Sequence, residues 1–340
     1  DEPYSGDEDV DITETRDGVF FAGALAENNQ FFIRSVSKDS TEMLPNPLFS
    51  LGSGFDPQQY DLSALDFDLV NVGQGNVVFI GRIRVIDMNM YKRDGVSQSN
   101  YATLFAGMWN GTDWVDVGTN SMSIGITGLS GLDVYEFEAT YNSDTGWPSV
   151  AFIGWDYMGM GYMPNVYYTY FDGTNWASID GSMDFGGLTD FTDQMPYKAN
   201  KVDGALPGES GYATYISHCH TNGSPFIAFQ LSPYMEGDVL MCVVTPYSGS
   251  WDYVQDFGTG PTGKPASYSS RPCIRSYSTS GAVIAWHDPD GQIPLRLLYT
   301  PNVGVEAFGD ASPSAGLLPE PDDTMEYMGA NVQVMMDFKN

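Results

Sequence analysis

A short apolar segment recurs five times along the chain: Val19-Phe20-Phe21-Ala22-Gly23, Val77-Val78-Phe79-Ile80-Gly81, Val150-Ala151-Phe152-Ile153-Gly154, Phe226-Ile227-Ala228-Phe229 and Val283-Ile284-Ala285-Trp286. Counted on the aromatic (Phe21, Phe79, Phe152, Phe229, Trp286), the spacings are 58, 73, 77 and 57 residues. The path from Trp286 through Asn340 and back to Phe21 adds 75, inside the same range. Such a repeat restricts the chain to an array of like units, and this one closes on itself if its two ends meet. It constrains architecture far more than activity, because repeat scaffolds carry many unrelated functions.

The units read as β. No apolar stripe with helical spacing is sustained, whereas short or alternating apolar runs bounded by Gly, Pro, Asn and Ser are frequent. The third unit serves as template. Residues 132–141 read as a strand, Asn142-Ser143-Asp144-Thr145-Gly146 as a turn, and 148–156 and 165–171 as two further strands. A hairpin at Asp172-Gly173-Thr174-Asn175 then leads into a fourth strand at 176–179. A four-stranded meander at this period is the signature of a propeller blade.

The last hairpin returns as Asn110-Gly111-Thr112-Asp113-Trp114 and Ser248-Gly249-Ser250-Trp251. Its Gly supplies positive φ, and the Trp after it is expected to lie flat on the neighbouring blade. First strands are expected at 65–71, 132–141, 212–219 and 272–277. The segment 330–339 looks like one more first strand without a successor, and 19–25 like a second strand without a first. Pairing 332–338 with 19–25 would complete a blade from both ends of the chain and remove an open edge. The expectation is an all-β, five-bladed propeller over 17–340, closed in that way, with 1–16 as an acidic linker or docking tail.

Charge excludes some functions. With 44 acids against 14 Lys plus Arg, the net charge is −30, which argues against nucleic acid and against anionic membrane surfaces. No apolar run is long enough to suggest membrane insertion. Such acidity suits a cationic partner, Ca²⁺ or plain solubility. The acidic start without Met, with the sequons at Asn110 and Asn222, reads as an exported, extracellular or cell-surface protein whose leader has been removed. Cys219, Cys242 and Cys273 allow one bridge plus a free thiol, or three buried thiols.

Four groups of residues are candidates for chemistry. Acids alternate on first strands, Asp66 with Asp68 and Glu136 with Glu138, where they would face the central channel together with Arg275. The plain alternative is a hydrated channel with structural acids. A second group is His218 and His220, flanking Cys219. Two positions apart on a strand, their rings share one face about 6–7 Å apart, a start for a transition-metal site. The third group is acids in the loops after second strands: Glu27, Asp87, Asp156, Glu236 with Asp238, and Asp288 with Asp290. Asp288-Pro289-Asp290-Gly291 is the best Ca²⁺ loop among them, making Ca²⁺ the one cofactor the sequence suggests. The fourth is an aromatic and Met segment, with Trp155, Tyr157, Met158, Met160 and Tyr162 as a binding surface for protein or glycan.

The hairpins resemble those of exported bacterial β-propellers with a Gly-x-x-Trp turn, including propeller lectins and the looser Asp-box families. None carries the full Ser-x-Asp-x-Gly-x-x-Trp pattern, so the resemblance implies fold more than activity. The expected function is a non-catalytic extracellular binding or assembly protein, a subunit of a filament or surface layer. It would contact neighbouring protein, including copies of itself, through loops and the N-terminal tail. The alternatives are a propeller lectin binding glycans with Ca²⁺ assistance, and a five-bladed glycoside hydrolase using Asp66, Asp68, Glu136 and Glu138 with Arg275 to orient substrate.

Overall fold

The computed structural model describes residues 10–15, 18–25, 30–36, 49–50, 60–85, 101–110, 114–116, 132–156, 164–174, 176–177, 179, 197–198, 211–221, 223–233, 239–247, 250–254, 264–265, 271–276, 278–287, 295–300 and 309–310. Every regular element among them is a β-strand, and the strands form five antiparallel sheets. Each sheet is a meander with four strands in sequence order, and the first strands of successive sheets lie beside one another. This is a five-bladed β-propeller, and the first strands are the inner ones.

Blade three follows the expected template closely, with strands Leu132–Asn142, Trp147–Asp156, Pro164–Phe171 and Trp176–Ala177. The inner strands of blades two, four and five are Tyr60–Gly73, Gly211–Thr221 and Pro272–Ser276. Blade one departs from expectation. Its inner strand is Val10–Thr15, paired antiparallel with Gly18–Leu25 from Val10↔Gly23 to Thr15↔Gly18. The second strand of that blade therefore takes its partner from the segment just before it, in the place expected for 332–338. The 332–338 segment lies outside the described residues. The tail assigned to 1–16 contributes a blade strand, since a two-residue connection closes a hairpin locally at far lower entropy cost than bringing the chain ends together.

The recurrent apolar segment is explained by burial on both faces. Along Val150-Ala151-Phe152-Ile153, alternate side chains enter different cores. Val150 and Phe152 pack with Val78, Ile80, Leu104 and Ala106 of blade two, whereas Ala151 and Ile153 pack with Ile216, Ile227 and Phe229 of blade four. Blade four repeats this, with Ala228 facing Ile274, Ile284 and Trp286 of blade five. The aromatics Phe152, Phe229 and Trp286 face the preceding blade, whereas Ala151, Ile153, Phe226 and Ala228 face the following one. The hairpin residues Trp176 and Trp251 join these inter-blade cores and are almost wholly buried, as expected of that motif.

Two glycines are dictated by geometry. Gly173 in the blade-three hairpin has φ +99°, and a Cβ there would lie 2.8 Å from Nε1 of Trp147. At Gly81 a Cβ would lie 2.7 Å from the Phe105 ring and 2.8 Å from the Phe79 ring. The outer edges of blades three and four are each completed by a second short segment. Tyr197–Lys198 pairs with Tyr167 and Tyr168, and Lys264–Pro265 pairs with Leu240 and Met241. Tyr197–Lys198 thus returns to blade three before the inner strand of blade four begins.

Candidate functional site

An inner propeller strand has a partner on one side only, so its channel-side N–H groups need other acceptors. The inner strands supply these to one another. Asp68 Oδ2 of blade two accepts from Ala139 N of blade three at 2.5 Å. Glu136 Oε1 of blade three accepts from Ile216 N of blade four at 3.2 Å, and Glu138 Oε2 accepts from His218 N. Ser217 Oγ of blade four accepts from Ile274 N of blade five at 3.0 Å. The alternating acids seen in the sequence are thereby placed by the fold: period two aims Glu136 and Glu138 at the same side, toward the next inner strand.

Both glutamates also line an open cleft, a cavity of about 170 Å³ with Tyr215, Ser217, Arg271 and Arg275 among its other walls. Arg275 Nη1 of blade five lies 2.7 Å from Glu138 Oε1, and it donates to Ser217 Oγ at 3.2 Å and to its neighbour's carbonyl, Ile274 O, at 2.8 Å. The Glu138 charge raises the pKa of the Arg275 guanidinium further, against the opposing effect of burial. Glu136 differs. Burial pushes its pKa above the ordinary carboxylate value, outweighing its bond from Ile216 N and the charges of Arg271 and Arg82. Adjacent carboxyls on one strand thus sit in unlike environments, one desolvated and one ion-paired.

The mouth of the cleft carries two irregularities. The inner strand of blade three bulges between Val134 and Glu136, where Tyr135 is 54% exposed, and Arg82 Nη1 donates to the Tyr135 carbonyl at 2.5 Å. The inner strand of blade four bulges between Thr214 and Ile216, and the extra residue, Tyr215, has φ +52°. An aromatic residue in the left-handed region is a genuine outlier. The Arg271 guanidinium lies over the Tyr215 ring, 4.6 Å from its centre. Nothing in the linear sequence marked Tyr215, Arg271 or Arg82, whose placement depends on bulges and on contacts between blades.

Of the expected catalytic set, Glu136, Glu138 and Arg275 are brought together. Asp66 and Asp68 are not among the cleft's lining residues. Asp68 ties blade two to blade three, and Asp66 lies 3.8 Å from Arg82 Nε.

His218 and His220 do share one face, with ring centres 6.3 Å apart, but each imidazole has its own protein partner. His218 Nε2 is 3.0 Å from Ser149 Oγ, and His220 Nε2 is 2.7 Å from Tyr168 Oη. Both rings are buried, and burial lowers both pKa values to about 3. His218 Nδ1 lies 3.8 Å from Glu138 Oε2, a contact of a neutral ring. Among the described residues no group of three or more His, Cys, Asp or Glu side chains is placed to hold a metal. All three cysteines are buried, and none forms a disulfide.

Asp87, Asp288, Asp290, Tyr157, Met158, Met160 and Tyr162 lie outside the described residues. Trp155 and Asp156 end a second strand and are described in backbone only.

No family model matches the sequence, and no curated protein matches it. Several solved structures are similar in fold. The arabinanase Arb43A of Bacillus subtilis is 12% identical, with 86% of this chain and 92% of that one covered and a TM-score of 0.37. The sialidase of Trypanosoma rangeli is 11% identical at a TM-score of 0.43, covering 86% of this chain and 46% of its own, so this chain spans about half its length. The polysaccharide lyase Uly1 is 10% identical at a TM-score of 0.45, covering 88% and 80%.

The likeness extends to the propeller, and not to lectin or Asp-box features. The expectation of a non-catalytic assembly subunit, and of a protein that is no enzyme, finds no counterpart among the similar structures, which are named as enzymes and share with this chain a likeness of fold alone. That expectation also placed the N-terminal tail against a neighbouring protein, whereas Val10–Thr15 pairs within its own chain.

Proposed function

We propose that the protein is a glycan-cleaving enzyme, a glycoside hydrolase, working in the cleft between the inner strands of blades three, four and five. The observation that carries this reading is the Glu136/Glu138 pair: two carboxyls on one face of one strand, in an open cleft, in opposed environments. Hydrolysis of a glycosidic bond needs such a pair, one protonated to assist the leaving oxygen and one ionised.

Glu136 is the general acid. Desolvation favours its protonated form, and among the described residues only Oε1 is engaged, by Ile216 N. Glu138, held by Arg275, is the carboxylate that activates the attacking water. Arg275 is a positioning residue, acting through Glu138.

The test is release of reducing ends from a panel of neutral and acidic polysaccharides by the wild-type chain, Glu136→Gln and Glu138→Gln. A loss of about 10²-fold or more in each variant, with unchanged melting, supports the assignment. Equal activity in either variant rules out its role, and binding without cleavage by the wild type would leave a glycan-binding protein without hydrolase chemistry.

A further inference from the structure

Among the described residues of the cleft, one cation has no ion-pair partner. Arg82 lies against Asp66 and the Tyr135 carbonyl, and Arg275 against Glu138. Arg271 is exposed, and among the described residues it makes no ion pair. Instead its guanidinium lies over the ring of Tyr215, beside the two glutamates. The position is constructed: the bulge between Thr214 and Ile216 holds Tyr215 at φ +52°, a conformation that persists only where the surroundings impose it. A guanidinium held by its face on an aromatic ring keeps its edge N–H donors for a planar, two-oxygen anion.

We propose that the Tyr215–Arg271 corner anchors a sugar bearing a carboxylate, so that the glycan accepted by this cleft is acidic. This rests on the reading of the cleft as a glycan site and adds its substrate class. The carboxylate pairs with the Arg271 edge, the sugar ring lies beside Tyr215, and the glycosidic oxygen reaches Glu136. The net charge of −30 repels a long polyanion, so the unit recognised is a single carboxylate-bearing sugar at the cleft rather than a charged tract along the surface.

The experiment measures binding to Glu136→Gln, which keeps the cleft without turnover. The probes are trigalacturonate, a glucuronate-ended trisaccharide and sialyllactose, each beside its carboxyl-reduced counterpart, with arabinotriose as a neutral reference. At least one carboxylate probe is expected to bind about 10- to 100-fold more tightly than its reduced counterpart, the range for a hydrogen bond to a charged group. Adding Arg271→Gln abolishes that difference, and Arg271→Lys restores part of it, with melting unchanged in both.

Equal binding of acidic and reduced probes overturns the proposal, as does a preference that survives Arg271→Gln or binding of none of the probes. Glu136-dependent cleavage of a neutral glycan, with indifference to carboxylates, overturns this inference and leaves the hydrolase reading standing.

Discussion

Glu138 of the third inner strand and Arg275 of the fifth are joined at 2.7 Å, Oε1 to Nη1, past the strand of blade four that lies between their own. Ser217 of that middle strand accepts from Arg275 as well, so one guanidinium ties three blades together. Replacing it by Met leaves Glu138 without its counter-charge in a partly buried site. Arg275→Met is expected to cost about 1.5–3 kcal/mol in chemical denaturation. In a double-mutant cycle with Glu138→Gln the losses should be less than additive, because the second change removes a charge already stranded by the first. Additive losses would show that the pair contributes nothing jointly.

The two buried histidines make stability pH-dependent in a defined direction. Their folded pKa values are about 3, below the ordinary value of about 6.5. Between those limits the unfolded chain binds protons that the folded chain refuses. Stability is therefore full above about pH 6.5 and falls as pH drops toward 3, by up to several kcal/mol per histidine. Urea denaturation across pH 7 to 4 should show this slope. The double variant His218→Gln/His220→Gln, which keeps a hydrogen-bonding group at each site, should flatten it. A slope unchanged in that variant would place the proton uptake elsewhere.

Blade three was legible in the sequence almost strand for strand, because Asn142 to Gly146 and Asp172 to Asn175 are turns whose chemistry is local. The inner strand of blade one was not, because Val10–Thr15 is short and follows an acidic run, while the apolar signal near 332–338 was stronger. At the site, period two on Glu136 and Glu138 could be read directly. Their unlike environments could not, since burial of Glu136 and the approach of Arg275 depend on how three blades meet. Tyr215 stayed hidden because a bulge leaves no compositional mark unless a glycine occupies it.

Gly81 lies where the second strand of blade two meets the ring edges of Phe105 and Phe79, and Phe79 is stacked on Phe67 with centroids 5.3 Å apart. An added methyl has no room unless these buried rings move. Gly81→Ala is expected to destabilise by about 1–3 kcal/mol, the usual cost of overpacking. Thermal or urea unfolding checks it, and a neutral result would show that the ring stack can shift freely.

Tyr215 separates strain from use. Glycine adopts φ +52° without penalty, so Tyr215→Gly relieves about 1–2 kcal/mol of backbone strain while removing ring burial of similar size. Net stability is expected to stay within about 1 kcal/mol of wild type. Affinity for the acidic probe should nonetheless fall, because Arg271 loses the ring that holds its guanidinium face. Unchanged affinity in a stable Tyr215→Gly chain would assign the bulge to architecture alone.

The pH profile of cleavage tests the assignment of the acid. Catalysis requires protonated Glu136, so kcat/KM should be lost as pH rises through the pKa of that group in the free protein. Because burial raises it, this alkaline limb should lie above the ordinary glutamate value. Arg271 acts in the opposite sense, its charge being among the influences that lower the Glu136 pKa. Removing that charge in Arg271→Gln should therefore move the limb to higher pH. A limb that stays in place, or moves to lower pH, would mean that the titrating acid is a group that Arg271 does not face.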